Sequence, residues 1–154
     1  MIFGVGMAGG NDKIKVLFVC TGNSCRSQMA EGWARHLRGD VVEALSAGVS
    51  PASVNQMAIE VMAEAGIDIP GQKSKHIDEL IGIDFDYVVT ICDNAREHCP
   101  VFPGRTRCIH KSFEDPTLIP GTMEQVRTAF RKTRDAIRAF METMPESLQE
   151  LNKN

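Results

Sequence analysis

The feature that most limits what this chain can become is the stretch Lys13–Ser27, KIKVLFVCTGNSCRS. An apolar run from Ile14 to Val19 reads as a buried strand and stops at Cys20. Arg26 follows at the spacing C-x5-R, and from Ser24 the chain is helix-competent. Ser24 is a capping residue type, and Met29, Trp33 and Leu37 recur at spacing four. A strand, a short loop and a helix start aim the loop's backbone N–H groups at one point, with the helix dipole behind them. Thr21, Gly22, Asn23, Ser24, Cys25, Arg26 and Ser27 then form an anion cradle, with the Cys20 thiol at its base and the Arg26 guanidinium at its rim. The same field favours thiolate over thiol. Ser27 can offer the sulfur a hydroxyl, and Gly22 and Asn23 are residue types that tolerate the positive φ of a tight loop. Cys20 is expected to act as a nucleophile beneath a bound tetrahedral oxyanion.

The spacing C-x5-R alone arises by chance; the strand before it, the helix after it and Gly-Asn inside the loop give it weight, and the rest of the chain alternates in the same way. Val41–Ala47 reads as a second strand, Phe85–Ile91 as a buried third and Thr106–His110 as a short fourth. Between them lie a helix carrying Met57, Ile59, Val61, Met62 and Ala65, closed by Gly66, and a short helix over His76–Ile81. A long helix, Thr122–Met144, closes the pattern with Met123, Val126, Phe130, Ile137 and Phe140 inward. Strands alternating with helices predict a single α/β domain over 13–144, a doubly wound four-stranded parallel sheet with helices on both faces. Its ligand is expected beyond the C-terminal strand ends, where Cys20 stands. Residues 145–154 are read as a C-terminal tail and 1–12 as a flexible N-terminal tail. In that tail Gly4, Gly6 and Gly9 spell G-x-G-x-x-G, but no strand precedes them and no helix follows, so no dinucleotide site is expected.

With 154 residues the chain suits one domain with a genuine core. A net charge of −3 without a basic run argues against a nucleic-acid surface, and no segment approaches a membrane span. The tail lacks the basic start of a secretory signal. Five cysteines, an odd number, suit a reducing compartment, so a cytoplasmic setting is expected.

Two further constellations carry chemistry. Cys92 directly follows the third strand, at the same sheet edge as Cys20, and Cys99 lies seven residues on in a polar segment expected to be mobile and exposed. A metal set of Cys92, His98 and Cys99 matches no common zinc spacing and lacks a fourth ligand, so no metal is expected. Asp115, before Pro116, is a candidate general acid. Cys25 reads as a small helix-start residue, and Cys108 as a buried, inert strand residue. His36, His76 and His110 show no partner spacing for metal or triad chemistry.

The segment CTGNSCRSQMAEGW resembles the active-site loop of the low-molecular-weight phosphotyrosine phosphatase fold, and in particular of the thioredoxin-coupled arsenate reductases built on it. The resemblance runs from about Lys13 to about Phe140. It implies arsenate bound in the Cys20–Ser27 loop, with phosphate or sulfate as competing oxyanions. It also implies Cys20 as nucleophile, Asp115 as acid, and Cys92 and Cys99 as the resolving pair whose disulfide thioredoxin reduces. No cofactor is implied, and the family suggests a monomer. Phosphatases of the fold share the loop and the Asp-Pro pair, usually with a tyrosine after it; here Thr117 follows, and the only tyrosine, Tyr87, lies in a predicted core strand. A phosphatase for phosphotyrosine or small phosphoesters is the alternative reading. A thiol-based arsenite or metal sensor ranks lower, because it leaves the anion cradle without a use. Some of the reductases hold potassium behind the loop through an Asn, a Glu, a Ser and a downstream acidic residue. Asn23, Glu31 and Ser46 match the first three, but the fourth falls near Lys75, which is expected to supply the charge directly, without potassium dependence.

Overall fold

Val16, Leu17, Phe18 and Val19 are wholly shielded from solvent, because the strand that carries them is paired on both edges and covered on both faces. That strand is β1 (Ile14–Cys20). In the computed structural model, which describes residues 13–152, β1 lies between β2 (Val42–Gly48) and β3 (Tyr87–Thr90), and β4 (Arg107–His110) pairs outside β3. All pairings are parallel, in the order β2-β1-β3-β4. The doubly wound four-stranded sheet is therefore present. The tail expected over 1–12 lies outside the described residues.

Helix α1 (Arg26–Arg38) packs against β2 and against the long α4 (Met123–Glu142), which also meets α2 (Gln56–Glu64). The α4 start is set by its sequence: Thr122 accepts from the Gln125 backbone N–H, and the Gln125 side chain accepts in return from the Thr122 N–H. Arg127, Arg131 and Arg134 of α4 then pair with Glu60 and Glu64 of α2. Arg131, with Arg134 beside it, holds the Glu64 carboxyl down at about 2. Helix α3 (Asp93–His98) is a short element between β3 and β4.

Several boundaries and burials differ from the sequence reading. The third strand is shorter than Phe85–Ile91, although Asp86 N still donates to Lys15 O and Ile91 N to Val19 O. The helix expected over His76–Ile81 is a 3-10 turn, Ile77–Leu80. Cys25, not Ser24, is the residue before α1, and it makes no side-chain cap. Cys108 is exposed rather than buried, because β4 is an edge strand with one partner and only Ile109 of its four residues is buried. Beyond α4 the chain does not trail off: α5 (Glu146–Asn152) packs by β4, with Leu148 fully buried.

Candidate active site

β1 ends at Cys20 and α1 begins at Arg26, so the loop between them turns within five residues at the C-terminal edge of the sheet. One residue makes the turn possible. Asn23 sits at φ +49°, the left-handed region that Asn tolerates better than most side chains. Gly22 does not share that geometry, so only half of the expected Gly-Asn pairing is used in that way. The Asn23 side chain is fully buried and bonded at both ends: Nδ2 donates to Ser27 Oγ at 2.8 Å, and Oδ1 accepts from Lys75 N at 3.0 Å. Its carbonyl accepts from Gln28 Nε2 at 2.9 Å and from Ser74 Oγ at 2.6 Å.

Ser27 Oγ lies 2.9 Å from Cys20 Sγ. Because an Asn23 N–H already occupies a lone pair of that hydroxyl, its proton is free to be donated to the sulfur. The hydroxyl thus aims a hydrogen-bond donor at the sulfur at the base of the loop. Cys25 is held as a neutral thiol: burial, and then the charge of Cys20, push it up to about 12.

A residue that sequence reasoning did not single out makes room for this loop. Gly48 ends β2 beside Cys20, and a Cβ there would meet Thr21 O at 2.6 Å and Asn23 N at 2.9 Å. Any side chain would push against loop backbone. In the sequence the only signal was a glycine at a strand end, which has many other causes.

Arg26 crosses the loop mouth. It donates through Nη1 to Phe113 O at 3.1 Å and pairs through Nη2 with Asp115 Oδ2 at 3.3 Å. The other Asp115 oxygen accepts from Thr117 N at 3.0 Å and Thr117 Oγ1 at 2.6 Å. Asp115 and Arg26 are thus brought together from segments far apart in sequence. Thr117 is exposed and Tyr87 is buried with its hydroxyl accepting from Arg107 at 3.2 Å, so neither offers an aromatic wall at the site.

Cys92 also arrives at this edge. Its Sγ lies 3.4 Å from Thr21 Oγ1, and that hydroxyl accepts from Asn94 Nδ2 at 2.9 Å. Cys92 is buried and precedes α3; Cys99 follows the helix and is half-buried, less exposed than expected. Burial, helped by a charge on Cys108, pushes Cys99 up to about 11. His110, given no partner from the sequence, lies between Thr90 Oγ1 at 2.8 Å and Asp93 Oδ1 at 3.3 Å, tying β4 to the first turn of α3.

Behind the loop, Glu31 is 2% exposed and bonds Ser46 Oγ and Arg35, each at 2.6 Å. Lys75 does not pair with it directly: its ammonium donates to Lys73 O at 2.9 Å. Burial pulls Lys75 down from its ordinary value, and the Glu31 charge acts in the opposite sense. Arg35, at 2.6 Å, is therefore the cation paired with this carboxylate, and Lys75 does not supply the charge directly as the sequence reading expected. Among the described residues no group of three His, Cys, Asp or Glu is placed to hold a metal, and no helix is long and apolar enough to cross a membrane.

A parallel α/β sheet that presents a cysteine, five residues and an arginine as an anion loop, with an aspartate across its mouth, defines a phosphatase-like thiol enzyme class. The family model for low molecular weight phosphotyrosine protein phosphatase matches residues 15–154, and the chain belongs to that family. Among its curated relatives, the arsenate reductase of Halalkalibacterium halodurans is 42% identical over 137 residues, covering 89% of this chain and 98% of its own. A solved arsenate reductase in its oxidised state superposes with a TM-score of 0.71 at 32% identity, covering 87% of this chain and 98% of that one. A thioredoxin-dependent arsenate reductase of Corynebacterium glutamicum gives 0.62 at 29% identity, over 88% of this chain and 63% of its own.

Proposed function

We propose that the chain reduces arsenate to arsenite by a relay of three thiols, Cys20, Cys92 and Cys99, and is returned to its reduced form by thioredoxin. The observation that carries this reading is the meeting of Cys20 and Cys92 at one loop: Thr21 follows Cys20 in the chain and touches the Cys92 sulfur at 3.4 Å. A phosphatase has no use for a second thiol there.

Arsenate, or phosphate and sulfate in competition with it, enters the Cys20–Ser27 loop and meets its N–H groups and the planar guanidinium of Arg26. Cys20 thiolate attacks arsenic, and Asp115 protonates the departing oxygen, leaving a Cys20–arsenic(V) adduct. Cys92 then attacks Cys20 Sγ. The sulfur–arsenic bond breaks, its electron pair passes to arsenic, and arsenite leaves behind a Cys20–Cys92 disulfide. Cys99 attacks Cys92 Sγ, freeing Cys20 and giving Cys92–Cys99, which thioredoxin reduces by exchange with its own two thiols.

The third step demands motion. Cys92 and Cys99 flank the two ends of α3, so the helix holds their Cα atoms about 10 Å apart at its rise per residue. A disulfide requires less than about 7 Å. Helix α3 therefore unwinds as Cys92–Cys99 forms. The same unwinding draws Cys99 out of the burial that keeps it protonated, so its thiol becomes reactive when it is needed. A cytoplasmic, thiol-reducing setting suits this chemistry.

Trapping separates the steps. Cys92→Ser should stall at the covalent adduct with no arsenite released. Cys99→Ser should release about one arsenite per chain and stall as Cys20–Cys92. Hydrolysis of an aryl phosphate, which needs only Cys20, Arg26 and Asp115, should survive both changes. Sustained arsenate turnover with thioredoxin in either variant would overturn the relay and leave the phosphatase reading.

A further inference from the structure

The relay uses three thiols and the chain has five. Cys25 is locked inside the anion loop as a neutral thiol. Cys108 is placed differently. It stands on β4, the outer strand of the sheet, in register with Val88, and is exposed to solvent. Cys99 and Cys108 line one cavity of about 420 Å³, together with Thr90, Phe102, Ile109 and His110. A charge on Cys108 is felt at Cys99, as expected of neighbours. With α3 wound, Cys99 and Cys108 thus line the same cavity, while Cys92 stands at the other end of the helix.

We propose that Cys108 is a fourth redox thiol, which takes the disulfide from Cys92–Cys99 and holds it at the surface as Cys99–Cys108. The proposal rests on the three-thiol reading above. The step is an exchange: Cys108 thiolate attacks Cys99 Sγ, the Cys92–Cys99 bond breaks, and Cys92 leaves as a thiolate and takes up a proton. One disulfide replaces another, and no electrons enter or leave until thioredoxin delivers two.

What favours the transfer is the helix. A Cys92–Cys99 bond forbids α3, whereas Cys99–Cys108 joins positions that already share a cavity with α3 in place. Rewinding restores the Asn94–Thr21–Cys92 contacts and the Asp93–His110 pair. It also returns Cys92 to Cys20 with both thiols reduced. A chain in this state can take a second arsenate before thioredoxin arrives, ending with Cys20–Cys92 and Cys99–Cys108 together.

The test is the amount of arsenite formed without any reductant. Fully reduced protein, freed of other thiols and kept from air, is given excess arsenate; arsenite is counted, and the disulfides are mapped after acid quench and alkylation. The wild-type chain should give about two arsenites per chain and a Cys99–Cys108 linkage, against about one for Cys108→Ser and for Cys108→Ala, a twofold difference. Melting temperatures of both variants check the fold. One arsenite from all three proteins, with Cys92–Cys99 the linkage and Cys108 alkylated, overturns the fourth thiol and keeps the relay. No arsenite from the wild-type chain overturns both.

Discussion

Cys20 and Cys92 each lie against a hydroxyl that an asparagine amide holds in place: Asn23–Ser27–Cys20 in the anion loop, Asn94–Thr21–Cys92 at the start of α3. The chemistry of the two chains of donors is alike, but their surroundings are opposite. In the loop every member is buried, the hydroxyl sits 2.9 Å from sulfur, and Asn23 is bonded through both ends of its amide and through its carbonyl. At α3 the hydroxyl sits 3.4 Å from sulfur, Asn94 is exposed, and the helix has only six residues. Helices that short draw little stability from their own hydrogen bonds. The loop must hold a transition state without rearranging, so it is over-determined. In the proposed relay the segment from Cys92 to Cys99 carries a bond outward, which fits a segment held just well enough to start from one place.

That contrast orders the substitutions. The largest effect is expected for Arg26→Lys, because an ammonium cannot reproduce the planar two-point grip on oxyanion oxygens. Arsenate reduction and aryl phosphate hydrolysis should both fall by roughly 10²–10³ in kcat/KM, with the melting temperature little changed. Near-normal kinetics would mean that the loop is not the anion site.

Asn23→Gly comes next, and it reads stability. Glycine accepts the positive φ, so this change isolates the amide, leaving Ser27 Oγ and Lys75 N without their partner at a cost of about 2–3 kcal/mol in urea unfolding. Asn23→Ala should cost about 1 kcal/mol more, for the left-handed backbone. Equal losses for the two would remove φ from the explanation.

Alkaline titration sharpens the comparison through two thiols, one from each region. A thiol whose folded value is raised stabilises fully below its unfolded value and loses that contribution as pH rises. For Cys25 the loss runs from 9 towards about 12; for Cys99 from 9 towards about 11. Cys99 is half-buried, so its share is reduced by solvent. Cys25→Ala should therefore flatten the fall in stability above pH 9 more than Cys99→Ala does, as measured by chemical unfolding between pH 8 and pH 10.5.

The smallest effect is expected for Asp93→Asn. It weakens the contact with His110 at 3.3 Å on a side chain that is 75% exposed, and should cost less than about 1 kcal/mol. Because α3 must unwind for Cys92–Cys99 to form, that disulfide should form at least as fast as in the unaltered chain, followed by quenched alkylation after one equivalent of arsenate. A large loss of stability would show that α3 is a fixed part of the fold.

Much of this was legible in the chain itself. An apolar run too long to leave exposed, Ile14–Val19, had to become a central strand, and the loop of Thr-Gly-Asn-Ser between it and a helix had to turn there. The positions of Cys92 and Cys99 after a second buried strand, and of Asp115 before a proline, were legible in the chain; the resolving and acid roles proposed for them come from the family resemblance. Burial and reach were not. Cys108 read as a core residue because strand residues usually are, and only its place on an edge strand exposes it. His110 gained Asp93, Arg26 gained Asp115, and Gly48 became the space for the loop through parallel pairing of segments distant in sequence. Local pattern sets what each segment prefers, since propensity and periodicity act over a few residues. Which thiols become neighbours depends on how the sheet is ordered, and that is decided only when the whole core closes.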